Sequence, residues 1–155
     1  MADVDPIPAN YPRVTPYLAV DGAAAALDFY REVFGATERG DRFLQEDGRV
    51  GHAEFLIGDS LVMIADEFPE IDFRSPKSWG GTAVTMHVYV EDVDAVFARA
   101  LQAGATVRRE VEDHFYGDRA GQFEDPFGHR WSVASRVEIL SPEEMARRAA
   151  QAASG

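Results

Sequence analysis

The chain contains no cysteine, which excludes disulfide bonds, a thiolate nucleophile and thiolate metal ligands. It is also poor in basic residues, because 15 Lys and Arg stand against 27 Asp and Glu, for a net charge of -12. Nucleic acids and anionic membrane surfaces both require clustered Lys and Arg. The composition therefore argues against nucleic acid and membrane as partners.

Long apolar runs are missing as well. No segment approaches the roughly 20 consecutive apolar residues of a transmembrane helix. Residues 1–10 contain Asp3, Asp5, Pro6 and Pro8 and lack the basic start and apolar segment of a signal peptide. We therefore expect a cytoplasmic protein, and a hydrophobic fraction of 46% is sufficient for a core.

One sequence pattern occurs twice. In residues 84–104 apolar and polar residues alternate as in a strand, and an amphipathic helix follows, with Asp92 as its N-cap and Gly104 at its end. Residues 14–35 repeat this unit, with Asp21 as the expected cap. Further strand candidates follow each copy, so the pattern predicts one strand–helix–strands module used twice.

The strands of the two modules are predicted from alternation and from turn residues. They are expected over residues 14–20, 37–43, 50–57, 61–65, 84–90, 106–113, 122–124 and 130–137. Pro16 predicts that the first strand lies at a sheet edge or begins with a break in its ladder, and the almost wholly apolar segment 61–65 is expected at a sheet centre. Residues 114–121 are expected to form a loop, and Asp125 opens a turn.

The division of the chain follows from this pattern. We expect a flexible arm, a first module, a linker loop, a second module, and a C-terminal helix with its tail, over residues 1–12, 13–67, 68–82, 83–139 and 140–155. Ser141 and Glu144 form a capping box for the last helix, which Met145 and Ala149 would dock. Residues 151–155 are expected to fray.

Several short strings carry a family resemblance: TPYL at 15–18, GHAE at 51–54, YVEDVD at 89–94, FYGDR at 115–119 and DPFGHRW at 125–131. They resemble the vicinal oxygen chelate superfamily of glyoxalases, bleomycin-resistance proteins and extradiol dioxygenases, and within it the PhnB-like branch. The resemblance covers about residues 14–149. It implies an α+β fold of two βαβββ modules that form a pair of curved mixed sheets, a homodimer, and a cavity inside each cup.

The metal positions of that superfamily are not filled by metal ligands in this chain. Its enzymes usually hold a divalent ion on the first and last strands of each module, and those positions fall on Thr15, Met63, Thr85 and Ser132. None of these side chains supplies the imidazole or carboxylate that such an ion needs. The sequence therefore predicts no metal and no cofactor.

His52 and Glu54 are the best remaining pair for metal binding or proton transfer, because residues two apart on a strand share a face. With His87 they would offer two imidazoles and one carboxylate. The alternative interpretation is that they are solvated strand residues or contacts across a dimer.

The second module has its own candidates. Thr85, His87 and Tyr89 share a strand face, and Arg130 would point into the same cup, where a cation suits an anionic or carbonyl group. A hydrogen-bonded histidine that lines the sheet is the alternative for His87. His114 belongs to a loop whose aromatic residues suit a cavity rim, and His129 is expected to serve the turn.

The leading hypothesis is a metal-independent small-molecule-binding protein of the bleomycin-resistance type, in which two chains form cavities for an aromatic or cationic organic compound. The expected ligand-binding residues are Tyr17, His52, Glu54, Trp79, Thr85, His87, Tyr89, Tyr116 and Arg130. Two alternatives stay open. One is a metal-dependent lyase or isomerase with a non-standard site, and the other is a non-catalytic dimeric module.

Overall fold

The structure is a computed structural model that describes residues 3–155. The chain separates into two compact units, Met1–Trp79 and Gly80–Gly155. Each unit contains one mixed β-sheet. No helix among the described residues is both long and apolar enough to cross a membrane.

The first unit contains a four-strand path with a helix after its first strand. Its elements are β1 (Tyr17–Val20), α1 (Ala23–Phe34), β2 (Thr37–Glu38), β3 (Phe43–Leu44), β4 (Val50–Ile57), β5 (Ser60–Asp66), a 3-10 turn (Pro69–Ile71) and α2 (Pro76–Trp79). The strand order is β1-β5-β4-β2, and β3 also pairs with β4. β1 runs parallel to β5, whereas the other pairs are antiparallel.

Proline and glycine shorten the strands of this sheet. β1 starts at Tyr17 instead of residue 14, because Pro16 has no N–H and contributes only its carbonyl, which accepts from the Met63 amide at 2.9 Å. The strand predicted over 37–43 is two short pieces, and Gly40 between them has φ +71°. The edge position of β1 and the central position of β5 are both confirmed.

The N-cap predicted at Asp21 is wrong. Gly22 occupies the N-cap position of α1 and has no side chain to offer. Asp66, the last residue of β5, accepts through Oδ1 from the amides of Gly22 at 3.0 Å and Ala23 at 2.7 Å. Its Oδ2 accepts from the Val50 amide at 2.7 Å, so one carboxylate joins the starts of α1 and β4 to the end of β5.

The core of the first unit is formed where α1 packs on the sheet. The rings of Tyr30 and Phe55 stack at 5.1 Å, and Leu27 and Val33 are buried beside them. Phe34, the last residue of α1, is only half-buried. Because side chains alternate along a strand, the face that carries Phe55 contacts the helix, and the next residues of β4 point the other way.

The segment after β5, expected as a polar loop, is more regular than predicted. Phe68 and Phe73 form an isolated bridge around the 3-10 turn, and α2 follows. The Glu67 carboxylate accepts from the Ser75 amide at 2.6 Å and from the Ser78 hydroxyl. These hydrogen bonds satisfy polar groups that water would have to satisfy if the segment were an unstructured loop.

The second unit repeats the plan of the first. Its elements are β6 (Thr85–Tyr89), α3 (Val93–Gln102), β7 (Thr106–Asp113), β8 (Asp118–Glu124), β9 (Arg130–Arg136) and α4 (Pro142–Ala153). The strand order is β6-β9-β8-β7, with β6 parallel to β9. Both units thus place the first strand beside the last, which confirms the duplicated module and the α+β fold with a C-terminal helix.

The ends of α3 agree with the prediction, whereas β8 does not. Asp92 caps α3 by accepting from the Ala95 amide at 3.1 Å, and Gly104 follows the helix with φ +103°. β8 begins at Asp118, inside the predicted loop 114–121. Within this strand, position 121 is a glycine because a Cβ there would meet the Phe97 ring of α3 at 2.9 Å.

The C-terminal helix has the predicted cap but not the predicted docking. Ser141 Oγ accepts from the Glu144 amide at 3.2 Å. Met145 is only half-buried and Ala149 is exposed, so the apolar docking prediction is wrong for Ala149. Arg148 holds the helix instead, through an ion pair with Glu138 at 2.7 Å. The helix also continues to Ala153, into the segment expected to fray.

Candidate functional site

Polar residues of the first unit meet on the sheet face opposite α1. Tyr17, Met63 and Glu54 form one row across β1, β5 and β4, because they are paired in register. His52 precedes Glu54 by two positions on β4 and shares this face. The predicted pairing of His52 with Glu54 is therefore present, and Tyr17 joins it.

These side chains form a continuous hydrogen-bonded chain. His52 Nδ1 is 2.6 Å from the Tyr17 hydroxyl, and His52 Nε2 is 3.0 Å from Glu54 Oε2. Since an ionised carboxylate only accepts, the hydrogen between His52 and Glu54 belongs to Nε2, which donates it to Glu54. Phenol, imidazole and carboxylate are thus connected in sequence. We call these three residues the Tyr17–His52–Glu54 chain.

Glu54 is buried but well compensated, with 8% of its surface exposed. The Tyr11 hydroxyl donates to its two oxygens at 3.1 and 3.0 Å, and Arg39 Nε is 3.3 Å from Oε1. Burial opposes ionisation, yet the hydrogen bonds from His52 and Tyr11 and the charge of Arg39 hold the pKa of Glu54 below its usual range. Glu54 is therefore an ionised carboxylate at neutral pH.

Sequence patterns did not indicate Tyr11 or Arg39. Tyr11 precedes β1, and Arg39 follows β2, so neither shares a periodic pattern with Glu54. The Arg39 guanidinium also lies over the Tyr11 ring, with Cζ 4.3 Å from the ring centre. A backbone hydrogen bond holds Arg39 beside Glu54, because the Arg39 amide donates to the Glu54 carbonyl at 2.9 Å.

Tyr17 is the residue of the Tyr17–His52–Glu54 chain that faces the solvent. Its side chain is 43% exposed, and the Phe73 ring packs edge-on against it at 5.5 Å. Partial burial and the negative charge of Glu54 raise the pKa of Tyr17. The phenol is therefore protonated at neutral pH and can serve as a hydrogen-bond partner for a bound molecule.

The geometry of His52 does not suit a metal ligand. Both imidazole nitrogens are occupied by hydrogen bonds, and both Glu54 oxygens accept from neighbours. A metal ion would have to displace these partners, since coordination needs a free nitrogen lone pair. Across residues 3–155, no group of three or more His, Asp or Glu side chains is placed to hold a metal ion.

The second unit presents a regular grid of side chains on the sheet face opposite α3. Cross-strand pairing between β6, β9 and β8 aligns three rows: Thr85–Arg130–Glu124, His87–Ser132–Gln122 and Tyr89–Ala134–Ala120. The alternate residues face the helix, as the 5.9 Å contact between Phe97 and Phe123 shows. Four of the predicted site residues thus share one face: Thr85, His87, Tyr89 and Arg130.

His87 is hydrogen-bonded within this grid. Its Nδ1 is 2.9 Å from Ser132 Oγ, and its ring packs edge-on against Tyr89 at 4.9 Å. The Tyr89 hydroxyl donates to buried Asp118 at 2.8 Å, and this bond, with burial, raises the pKa of Tyr89. The interpretation of His87 as a hydrogen-bonded lining residue is therefore the one that its contacts support.

A cavity of about 60 Å³ opens beside the middle row of the grid. Ser132 and Gln122 line it, and His114 and Tyr116, whose rings stack at 5.1 Å, also contribute. Sequence reasoning did not select Gln122. This space is far below the roughly 300–1,000 Å³ of pockets that hold drug-sized ligands.

Trp79 and His129 lie outside this grid, and Arg130 differs from its neighbours within it. Trp79 is 61% exposed, and the Arg74 guanidinium is 5.6 Å from its ring centre. The backbone of His129 closes the predicted turn, because its amide donates to Asp125 Oδ1 at 3.0 Å. Arg130 is half-buried, and within the described residues no hydrogen-bond partner is present for its buried Nε.

Comparisons with known proteins give a consistent result. The family model of the Glyoxalase/Bleomycin resistance protein/Dioxygenase superfamily matches residues 11–133 of the sequence. An uncharacterized protein of Mycobacterium tuberculosis is 45% identical over 137 residues, which cover 86% of this chain and 80% of the relative.

Two solved structures extend the comparison. A gene product of Arabidopsis thaliana is 28% identical with a TM-score of 0.63, and the match covers 80% of this chain and 98% of that one. TioX from Micromonospora is 25% identical with a TM-score of 0.60, and the match covers 84% and 100%.

Proposed function

Since the chain belongs to the glyoxalase/bleomycin resistance protein/dioxygenase superfamily, we propose that it is a metal-independent small-molecule-binding protein of the bleomycin-resistance type. The observation that carries this proposal is the state of His52, whose two nitrogens are bonded to Tyr17 and Glu54 on an open sheet face. Such a face offers fixed aromatic and hydrogen-bonding groups. It offers no free imidazole lone pair for a metal. The strings at 51–54 and 125–131 support the PhnB-like branch.

The proposed ligand is a planar organic molecule with polar substituents. Tyr17 and Phe73 provide aromatic surface on the first unit, and His87, Tyr89 and Tyr116 provide it on the second. Aromatic walls with a few convergent polar groups are typical of sites for such molecules. The net charge of -12 favours a cationic compound at long range, in the cytoplasmic setting that we propose.

A homodimer is part of this proposal. An open sheet face covers one side of a planar ligand, whereas most small-molecule sites bury 70–90% or more of the ligand surface. A second copy of the chain would supply the missing surface over the exposed rings of Tyr17 and Tyr89. Sedimentation analysis at micromolar concentration should give twice the 17.1 kDa chain mass. A monomer throughout would contradict this part.

The test uses chelator-stripped protein. Calorimetry with nickel, zinc, manganese and ferrous iron should show no stoichiometric binding. A panel of planar aromatic compounds, bleomycin-like and bis-intercalator ligands included, should contain one that binds at micromolar concentration without added metal. Metal binding tighter than micromolar that His52→Ala or His87→Ala abolishes would contradict the proposal. So would the absence of any ligand at high micromolar concentration.

A second candidate function is an enzyme of the lyase or isomerase type. The Tyr17–His52–Glu54 chain favours it, because a buried carboxylate that orients an imidazole, which in turn contacts an exposed hydroxyl, is an arrangement used for acid–base catalysis. A metal-dependent version at His52 and Glu54 would need these bonds to break. Tyr17→Phe should lower such an activity about 10²-fold or more while ligand binding persists.

A third candidate is a non-catalytic dimeric module whose cup is filled by its own side chains. The cavity of about 60 Å³ in the second unit is the observation that favours it. Failure of every compound in the panel, together with a stable dimer, would favour this candidate over the other two.

A further inference from the structure

We propose that the grid face of the second unit contains an anion-binding subsite centred on Arg130, so that the ligand carries an oxyanion such as carboxylate, sulfonate or phosphate. This inference rests on the proposed function, because it assigns a chemical class to one group of the bound molecule. It differs from the cationic ligand that the overall charge favours.

The missing partner of Arg130 is the first observation. Its Nε is buried and has no hydrogen-bond acceptor within the described part of the chain. Several other guanidinium groups are paired with carboxylates, as in Arg119 with Asp94 at 2.8 Å and Arg49 with Glu70 at 2.8 Å. A buried N–H without an acceptor is unfavourable, so an acceptor supplied by a ligand would remove this cost.

The second observation explains why Arg130 is unpaired. Glu124 is its cross-strand partner on β8 and would be its natural counter-ion. Glu124 is instead engaged by Arg108, whose Nη2 donates to Oε1 at 2.9 Å. The partner on the other side is Thr85, which carries a neutral hydroxyl. Arg130 therefore keeps its positive charge without a bonded carboxylate.

The neighbours of Arg130 suit an oxyanion. Thr85 in the same row shares the sheet face of Arg130 and carries a hydroxyl that can donate, whereas the Ser132 hydroxyl in the next row is already bonded to His87. A guanidinium presents two N–H groups along one edge, which matches the two oxygens of a carboxylate. Because Arg130 is only half-buried although its Nε is buried, part of its side chain is accessible to a ligand from the solvent side.

The overall charge makes the subsite selective. A net charge of -12 repels a free anion, so an oxyanion alone gains little at this face. An aromatic compound that carries the oxyanion gains both ring contacts with His87 and Tyr89 and the charge-assisted bond to Arg130. We therefore expect the subsite to discriminate among ligands of one shape and different charge.

The experiment compares three probes with one ring system: 2-naphthoate, 2-naphthamide and 2-naphthylmethylammonium, titrated into the full chain by calorimetry at pH 7. We expect 2-naphthoate to bind at least 10-fold more tightly than 2-naphthamide. Arg130→Gln should remove this preference, and Arg130→Lys should retain part of it because the charge remains. Arg136→Gln, on the same strand and face, is the matched control and should keep the preference.

The outcomes separate this inference from the proposed function. If all three probes bind equally, or if 2-naphthylmethylammonium binds best, the anion subsite is wrong and the binding function stands. If no probe binds at high micromolar concentration, both fail. Thermal unfolding of each variant identifies a fold defect. If Arg130→Gln does not fold, Arg130→Met is measured in its place, and a preference there that is unchanged to within 2-fold overturns the inference.

Discussion

At the scale of single residues, Glu54 is the side chain on which the polar face of the first unit depends. It accepts from Tyr11 and His52, it is paired with Arg39, and it is buried. Its pKa is lowered in the folded state, so it binds a proton less readily there than in the unfolded chain. Its contribution to stability is therefore complete above the unfolded pKa of about 4.3 and is lost as the pH falls through the lower folded value.

Glu54→Gln tests this linkage. At pH 7 we expect a loss of about 1–3 kcal/mol in the free energy of unfolding, because Arg39 and Tyr11 lose a charged acceptor. The difference from the parent protein should shrink as the pH falls below 4. Denaturant titrations at pH 7, 5 and 3 measure it, with exposed Glu46→Gln as the control. A difference that stays constant with pH would contradict the assignment.

Gly121 is a second residue whose role is decided by contact. A Cβ there would meet Val111 Cγ2 at 2.8 Å and the Phe97 ring at 2.9 Å, so Gly121→Ala should cost about 1–3 kcal/mol of unfolding free energy. Gly51→Ala is the matched strand variant. Its nearest atoms are the ends of the Gln45 and Phe43 side chains, and we expect a smaller loss there. Equal losses in thermal unfolding would show that strand propensity, not contact with α3, decides the cost.

Residue types and spacing predicted only part of the candidate site. The alternation of β4 correctly placed His52 and Glu54 on one face, because it is a property of the strand itself. Tyr11 and Arg39 come from outside that strand, and the missing partner of Arg130 depends on the pairing of Glu124 with Arg108. Such choices between competing partners are made in three dimensions and leave no periodic signal.

At the scale of elements, the start of α1 shows how a distant side chain replaces a local cap. Asp66 accepts from Gly22 and Ala23 at the helix start and from Val50 at the start of β4. Asp21 is the sequence neighbour that a local rule selects, yet it is exposed and α1 has no side-chain cap from it. The carboxylate also interacts favourably with the positive end of the helix dipole.

The two aspartates give a matched pair of variants. Asp66→Ala should lower the free energy of unfolding by about 2 kcal/mol, because it removes a helix cap and leaves three amides without their acceptor. Asp21→Ala should change it by less than about 0.5 kcal/mol, as is usual for exposed sites. Urea titration of both variants measures the difference. A larger loss of unfolding free energy for Asp21→Ala would show that Asp21, and not Asp66, caps α1.

Several element bounds and caps were predicted well. β4 and β7 have the predicted bounds, and α3 has its predicted cap. β8 was predicted too short because its first residues are polar: Asp118 accepts from Tyr89, and Arg119 is paired with Asp94. Side chains bonded to another strand and to the packed helix can thus extend a strand that has no apolar alternation at its start.

At the scale of the whole molecule, duplication of the module was the most reliable prediction. Both units have the strand order first–last–third–second, and in both the first strand is parallel to the last. The repeat was visible because helix caps and strand alternation recur along the chain. The candidate sites were less visible, because the two copies differ most in the polar residues of their open faces.

The parallel pairing of β1 with β5 has a consequence for the order of events in folding. The hairpin β4–β5 closes through a short turn, whereas β1 can join β5 only after the whole sequence of the unit has been brought together. Contacts between residues far apart in sequence form late, because the entropy of closing the loop must be overcome first. Leu18→Ala in β1 should therefore mainly accelerate unfolding, and Val62→Ala in the hairpin should mainly slow refolding. Stopped-flow measurements of both limbs would reveal this difference, and the reverse assignment would mean that the edge strand is part of the folding nucleus.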